Sequence, residues 1–324
     1  MFKWAKIGSK LRHFPRIEKH FVMIRWLPPA AALLAVSLWA LSFVAIKVAL
    51  SEMRPESMIW LRQLLGALTA GIIVWVRGSW EKPARRDLSQ LALAGFVGVV
   101  LHQCFQAYGM LTTTATVSAW LSALSPVLMA AMAWIWLREQ FVPRQALWML
   151  LAGLGAVMVS AGSWQSLLLG SFGKRGDLLV LASAIAWSLY AILLKRLVRT
   201  RRASTVTLAT LFIGWLLLLP LFILRHSWLD FAHISRSGWA AVLVLGVGST
   251  GVASILYNYA LKNMSGTLAA ILLYPEPLLT AAIAGVLLRE DFTPAMAAGG
   301  SLILFGVWQV ERIAGRARNV FQQE

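Results

Sequence analysis

The sequence predicts an all-α integral membrane protein whose ten transmembrane helices form two inverted five-helix repeats. Of its 324 residues, 59% are hydrophobic and 13% are charged, whereas a soluble domain carries about 25% charged residues. The charges lie between apolar runs of about 20 residues, the length that a helix needs to cross a bilayer. The chain also repeats itself: residues 125–141 read SPVLMAAMAWIWLREQF, and residues 276–292 read EPLLTAAIAGVLLREDF.

The first half of the chain contains five apolar segments that are bounded by charges or turn residues. They predict helices at residues 27–50, 57–76, 88–111, 115–136 and 144–161. Only three threonines, residues 112–114, separate the third helix from the fourth. These two helices are therefore predicted to form a hairpin.

The second half has the same layout. Its apolar segments predict helices at residues 177–198, 205–224, 238–261, 267–288 and 294–313. The sixth helix ends in the basic run KRLVRTRR. The short KNMSG connection at residues 262–266 predicts a second hairpin, between the eighth and ninth helices.

The domain organisation follows from these segments. It comprises a basic N-terminal extension (1–26), a first repeat (27–163), a linker (164–176), a second repeat (177–314) and a cytoplasmic tail (315–324). The extension has no apolar core, so it is not a cleavable signal peptide, and we interpret it as a surface-lying or disordered segment. Met23, just before the first helix, is an alternative native start.

Matched residues indicate an internal duplication. An offset of 151 pairs Gly95 with Gly246, Tyr108 with Tyr259, Pro126 with Pro277, Glu139 with Glu290 and Gly155 with Gly306. An offset of 148 pairs Trp39 with Trp187 and Lys47 with Lys195. Because each half has an odd number of crossings, the second half enters the membrane upside down. This is the plan of transporters whose substrate site lies near the bilayer midplane.

The formal net charge of +17 is explained by the loops. Lys and Arg concentrate in residues 3–25, 77–86, 138–144, 195–202 and 312–318, which lie on one side of the predicted topology. Cytoplasmic segments of membrane proteins collect these residues. We therefore predict a multi-pass protein of a bacterial inner membrane with both termini in the cytoplasm, and not a partner of nucleic acid.

The chain offers little for catalysis. Its one cysteine, Cys104, excludes an internal disulfide and a multi-cysteine metal site. The sequence has no H-E-x-x-H or C-x-x-C pattern, and GSFGKRG at residues 170–176 has the wrong spacing for an ATP-binding loop. No enzyme, cofactor or metal is predicted, and transport would have to run on gradients.

Three motifs resemble a known family. They are WALSFVAIKVAL in the first helix, WLRQLLGA in the second, and P-x-L-x-A-A-x-A-x-x-x-L-R-E-x-F-x-P once in each half. Together they resemble the drug/metabolite transporter (DMT) superfamily, specifically EamA-type ten-helix permeases, over residues 27–313. The resemblance implies a carrier of the bacterial inner membrane, often an exporter of amino acids or other small metabolites. It also implies a central cavity lined chiefly by helices 1, 3, 4, 6, 8 and 9.

Polar and aromatic residues within the helices are candidates for the cavity wall, because polar groups are costly in lipid. The candidates are Trp39, Gln103, Gln106, Trp120, Trp187, Tyr190, Ser254, Tyr257, Asn258, Tyr274 and Glu276. Aromatic walls would suit flat or cationic cargo. The alternative is that the polar side chains tie helices together and the aromatic rings pack between them.

Four ionisable residues are candidates for charge recognition or coupling: Lys47, Arg62, His102 and Glu276. Lys47 and Arg62 could instead snorkel to the headgroups or pair helices, and His102 could be a hydrogen-bonded packing residue. Glu276 either bonds backbone groups freed by the neighbouring prolines, or binds a cationic group of the cargo or exchanges a proton for it.

Two further sets of residues are assigned to the helix ends and bends. Pro126 and Pro277 are predicted hinges of the fourth and ninth helices, because a proline removes a backbone donor and loosens the helix. Arg138, Glu139, Arg289 and Glu290 are predicted to cap helix ends and orient the proline turn that follows.

The sequence therefore predicts a secondary transporter that moves small metabolites by alternating access, as an exporter of amino acids or related amphipathic or cationic compounds. Its expected partners are a small-molecule substrate and the lipid bilayer, with proton coupling as an option. The alternatives are a small-lipid flippase and an intramembrane lipid-modifying enzyme with His102 and Glu276 as acid and base.

Overall fold

The computed structural model describes residues 15–137, 142–171, 173–264, 268 and 271–321. Helices account for most of this part of the chain, and it contains no strand. In chain order the helices are Pro15–Leu50 (α1), Pro55–Val76 (α2), Arg85–Met110 (α3), Ala115–Ser122 (α4), Ser125–Leu137 (α5), Pro143–Ala161 (α6), Trp164–Leu168 (α7), Arg175–Thr200 (α8), Ala203–Leu224 (α9), Arg236–Asn263 (α10), Pro275–Leu287 (α11) and Pro294–Phe321 (α12).

Eight stretches of the described chain are long and apolar enough to cross a membrane. They match the first eight predicted helices, with α4 and α5 together forming the fourth. The predicted ninth helix corresponds to α11, which has 13 residues, and part of its predicted N-terminal end lies outside the described residues. The tenth corresponds to α12, which is long enough but is diluted by Gly299, Gly300 and Gln309. The fold class is confirmed, and the count of ten is not.

Several helices begin earlier than the sequence predicted, and proline is the reason at two of them. α2 starts at Pro55 rather than at residue 57, and α6 starts at Pro143 rather than at 144. Proline suits the first helical position, where its missing N–H has no partner to lose. α1 begins at Pro15, so the end of the predicted N-terminal extension is helical and continuous with the first span.

The two halves share the same local irregularities. α3 contains a π-helical segment at Phe96–Leu101, and α10 contains one at Val244–Ala253. These segments coincide under the offset of 151. The helix is also interrupted at residues 123–124, between α4 and α5, and again at 272–274, just before α11. The duplication therefore extends to backbone features that hydropathy does not reveal.

Close contacts between the halves are matched as well. α6 packs along α12, and a Cβ on Gly306 would come within 2.7 Å of the Trp148 carbonyl. A Cβ on Gly155 would collide with the carbonyl of Gly299. Since Gly155 pairs with Gly306 and Trp148 with Gly299 under the offset, these are two copies of one contact. Glycine at 155 and 306 lets the two backbones approach.

The remaining helix contacts also follow the internal pseudo-symmetry. α2 packs on its counterpart α9, and α4 packs on α11, which is the counterpart of α5. α1 contacts α10 and α11, as α8 contacts α3 and α5. The interior between the halves is thus formed by α1, α3, α4 and α5 with α8, α10 and α11.

Candidate transport site

Two aromatic groups occupy matched places in this interior. The ring of Trp39 on α1 lies 5.1 Å from that of Tyr257 on α10. Its partner by the offset of 148, Trp187 on α8, lies 5.1 Å from His102 on α3 and 5.2 Å from Tyr190. Each tryptophan therefore contacts a ring from the other half of the chain: Trp39 contacts α10, and Trp187 contacts α3.

The other predicted wall residues differ in exposure. Trp120 is 1% exposed, and its ring contacts Gly300, where a Cβ would come within 2.6 Å of it. It packs in the core in this conformation. Gln103 and Gln106 are also buried, whereas Ser254 and Asn258 are half-buried.

Glu276 lies in the first turn of α11, between Pro275 and Pro277. Its backbone N–H donates to the Leu273 carbonyl at 3.0 Å, and its own carbonyl accepts from Thr280 Oγ1 at 2.9 Å. Within the described part of the chain, no donor lies within hydrogen-bonding distance of the carboxylate. Its side chain is half-buried. The carboxylate is thus available to a ligand, and the positive end of the helix dipole favours its charge.

A second carboxylate, Glu311 on α12, was missed by the sequence reasoning. The hydroxyl of Tyr274 donates to its Oε2 at 2.8 Å. Glu311 and Glu276 both act electrostatically on the Tyr257 phenol. The signal was present, because Glu311 falls on Ser160 under the offset of 151, as Glu276 falls on Ser125. In both places an acidic residue breaks the internal symmetry.

Arg62 on α2 is 7% exposed, so its guanidinium does not reach the headgroup region in this conformation. Its Nε donates to Thr250 Oγ1 at 3.0 Å, and its second terminal nitrogen, Nη2, lies 3.4 Å from Ser249 Oγ. Its Nη1 is buried without a partner. On α3, His102 Nδ1 lies 2.9 Å from Ser183 Oγ and 3.1 Å from the Ser183 carbonyl. This is the packing arrangement that the sequence left open for His102.

Lys47 pairs helices. Its Nζ donates to the carbonyls of Met110 at 2.8 Å and Thr113 at 3.0 Å, at the C-terminal end of α3. A cation there complements the negative end of the helix dipole. The side chain of its counterpart, Lys195, is outside what the structure describes.

Glu290 caps a helix of the opposite half. Its two carboxylate oxygens accept the backbone N–H groups of Ala115 at 2.7 Å and Thr116 at 2.9 Å. The sequence suggested a cap for a helix end but did not indicate α4 as the partner. Arg289 adopts a left-handed conformation with φ of 55°. Arg138 and Glu139 lie outside the described residues.

Ion pairs join the halves on both faces of the bundle. On the face that carries residues 51–54 and 225–235, here named the Asp230 face, Arg54 Nε donates to Asp230 Oδ1 at 3.0 Å. Burial alone raises the pKa of Asp230, but hydrogen bonds from Arg54 and Ser57 lower the pKa more, so it lies below its usual range. On the opposite face, here named the Arg201 face, Arg201 binds Glu81 at 3.1 Å and Asp87 at 2.8 Å.

One ion pair has no counterpart. Glu56 is 3% exposed and accepts hydrogen bonds from Arg225 Nε at 2.9 Å and from the Tyr108 hydroxyl. In the other half, the residues equivalent to Tyr108, Arg225 and Glu56 are Tyr259, Arg77 and Ser204. Because serine has no charge, the Arg201 face cannot form the same pair. The two faces are therefore closed by different contacts.

A family model described as the EamA-like transporter family matches residues 27–161 and again residues 174–311. The chain belongs to the EamA-like transporter family. Since the family is a membrane family and several helices are long enough to span a bilayer, this EamA-like protein is a multi-pass membrane transporter of the drug/metabolite type.

Relatives of this EamA-like protein carry similar names. An "Uncharacterized transporter" of Archaeoglobus fulgidus is 29% identical over 85% of this chain and 94% of its own length. A "Probable terminal-alkyne amino-acid exporter" of Streptantibioticus cattleyicolor is 26% identical over 89% of this chain and 95% of its own. One protein crystal structure, 20% identical, aligns with a TM-score of 0.64 over 90% of this chain and 98% of that chain. At that identity the likeness shows the fold alone.

Proposed function

We propose that this chain is a secondary transporter of a bacterial inner membrane that exports amino acids or related amphipathic or cationic compounds by alternating access. Both termini are cytoplasmic in this proposal, because Lys and Arg concentrate on that side. The relative from Streptantibioticus cattleyicolor, whose name describes a probable amino-acid exporter, supports the choice of cargo.

The observation that carries the proposal is the carboxylate of Glu276 in the interior between the halves, which has no hydrogen-bond donor among the residues that the structure describes. A charged group inside a membrane protein is costly, so it should face a ligand, an ion or a watery cavity. The amino group of a small cargo would satisfy it. The rings of Tyr257 and Trp39, which lie 5.1 Å apart, would supply cation–π contacts to the same cation.

The two repeats provide the movement that opens the cargo site to each side of the membrane in turn. In this proposal residues 27–163 and 177–314 are the two repeats, joined by the linker 164–176, and cargo binds between them. The hairpins of α3 with α4 and α5, and of α10 with α11, open alternately. A single carboxylate between the halves can then serve both open states.

The proposal is tested by comparing the metabolites in the medium of cells with and without the protein. We expect one or more amino-bearing compounds to accumulate outside only when the protein is present. Cells with Glu276→Gln should show less of this accumulation. Cells with Glu52→Gln serve as the matched control, since Glu52 lies in the loop after α1 and accepts hydrogen bonds from Ser235 and Ser237 at the start of α10. Identical media from all strains would argue against an exporter.

A further inference from the structure

Arg62 is a buried cation without a counter-ion. Among the residues that the structure describes, no carboxylate lies within ion-pair distance of its guanidinium. Its partners there are the hydroxyls of Thr250 and Ser249, which carry no charge. Nη1 has no partner at all. A buried charge that is not paired is strongly unfavourable, so this arrangement is typical of a site that receives an anion.

The second copy of this helix contact has neither the arginine nor its hydroxyl partners. Arg62 lies where α2 packs on α10, near Ser249 and Thr250. In the copy of this contact, where α9 packs on α3, the offsets replace Arg62 by Thr210, and they replace Ser249 and Thr250 by Gly98 and Val99. The backbone approach is the same in both: Gly66 contacts the Thr250 side chain, and its counterpart Gly214 contacts the Val99 side chain. The packing of α2 on α10 therefore needs neither the arginine nor the hydroxyls, because the copy without them also packs.

A chain of contacts leads from Arg62 to Tyr257, whose phenol is within the electrostatic range of Glu276. Arg62 lies close to the side-chain Oγ of Ser249. The backbone carbonyl of the same serine accepts a hydrogen bond from the indole N–H of Trp39 at 3.1 Å. Trp39 contacts Tyr257, on which Glu276 acts electrostatically. At about 1.5 Å per helical residue, Arg62 lies about 10 Å from the start of α2 and Glu276 about 16 Å from the end of α11. Both helix ends belong to the Asp230 face, so the two charges differ by a few ångströms in depth.

We propose that Arg62 binds the carboxylate of the cargo, so that the carrier selects amino acids over the corresponding amines. This inference rests on the proposed function and adds a second charged group to the same site. An arginine is suited to the task because its fork of N–H donors matches the geometry of a carboxylate. Trp39, whose indole N–H donates to the carbonyl of Ser249 beside Arg62, and Tyr257 would contact the apolar side chain of the cargo.

The test uses the full-length protein in proteoliposomes and matched pairs of probes. Phenylalanine, leucine and lysine are each compared with the amine that lacks the carboxylate: phenethylamine, isoamylamine and cadaverine. We expect the wild type to transport the amino acids about tenfold faster than the amines or better, as for the loss of one member of a buried charge pair. Arg62→Gln should reduce this ratio to near one, and Arg62→Lys, which keeps the charge, should restore part of it.

Thr250→Val is the matched control, because valine stands at the equivalent position 99. It removes the 3.0 Å hydrogen bond to Arg62 but not the guanidinium. If Arg62 binds cargo, Thr250→Val keeps a clear preference for amino acids. If Arg62→Gln also keeps that preference, Arg62 merely ties α2 to α10 and the inference is wrong.

The failure of the inference is distinguishable from the failure of the proposed function. Equal transport of amino acids and amines by the wild type would overturn the role of Arg62 and leave an amine exporter. Transport of none of the six probes would overturn both. An unstable Arg62→Gln would not stop the test, since the wild-type ratio and Arg62→Lys already decide it.

Discussion

Glu276 is the side chain whose replacement most directly tests proton coupling, which the sequence leaves as an option. A carboxylate that releases a proton when cargo binds makes transport depend on pH, and a glutamine cannot do so. We expect Glu276→Gln to insert and fold, since it keeps the shape of the side chain and breaks no hydrogen bond of the described structure. Its transport should lose either the pH dependence or the preference for amino-bearing cargo. A purified variant with wild-type rate, pH profile and selectivity would make Glu276 structural.

Asp230 should contribute to stability in a way that depends on pH. Hydrogen bonds from Arg54 and Ser57 hold the pKa of its carboxyl below the usual value despite partial burial. A depressed pKa in the folded state stabilises the protein above the unfolded pKa of about 3.9, and this contribution is lost as the pH falls through the folded pKa.

Asp230→Asn should therefore lower the melting temperature of the detergent-purified protein at pH 7. The loss of unfolding free energy should be modest, about 1 kcal/mol or less, because the side chain of its partner Arg54 is 40% exposed to solvent. The difference between variant and wild type should shrink as the buffer is taken from about pH 5 to below the unfolded pKa of about 3.9. A difference that is the same at every pH would show that the charge of Asp230 is not its source.

Single residues were predictable from the sequence to different degrees. Glu276 was found because a carboxylate inside an apolar helix is rare and because its repeat partner is serine. Glu311 satisfied the same two conditions but lies near the end of the predicted helix 294–313, where charges are ordinary, although α12 continues to Phe321. The partner of Glu290 could not be predicted, because the contact joins residues 175 positions apart, and periodicity reports only on neighbours along one helix.

The interrupted helices of the two halves make a prediction about rates. Pro126 and Pro277 follow the breaks at residues 123–124 and 272–274, where the missing N–H of proline leaves the backbone easier to bend. Alanine at either position should straighten and stiffen the segment. We expect Pro126→Ala and Pro277→Ala to lower the turnover number by more than they weaken cargo binding. Unchanged turnover in both variants would show that the helices do not bend there during transport.

Helices were easier to predict than their irregularities. Apolar length located eight spans, and the errors at α2 and α6 came from starting each helix after its proline instead of at it. The π-helical segments in α3 and α10 could not be predicted, because a π-turn changes which carbonyl each N–H meets and leaves the apolar composition as it was. α12 shows the reverse: its start was predicted at Pro294, although it ends at Phe321 rather than at residue 313, and its glycines and polar residues obscure its membrane character.

The inverted arrangement of the whole chain can be tested by labelling. Lys82 follows α2 and His233 follows α9, so they are in loops related by the repeat, and both are exposed. In a Cys104→Ser background, cysteines at 82 and 233 should react with a membrane-impermeant reagent from opposite sides of the membrane. With the orientation proposed above, position 233 reacts in intact cells and position 82 only after the membrane is opened. Labelling of both from one side would exclude inverted halves.

The ion pair of the buried Glu56 carboxylate with Arg225 makes the two sides of the carrier kinetically unequal. Opening the Asp230 face must break this pair, whose carboxylate is 2% exposed. Opening the Arg201 face breaks the pairs of Arg201 with Glu81 and Asp87, whose carboxylates are 35% and 14% exposed and therefore lose less on separation. The empty carrier should therefore rest mostly in the state that admits cargo from the Arg201 face. A binding state that is rarely populated shows a reduced apparent affinity, in proportion to its population. Half-saturation should consequently need more cargo on the Asp230 side than on the other, although gradients alone set the final distribution.

Glu56→Ser gives the Asp230 face the residue that stands at the equivalent position of the Arg201 face. With this variant, the half-saturation concentrations measured from the two sides of oriented vesicles should converge. A persistent difference would mean that the pair does not govern the resting state.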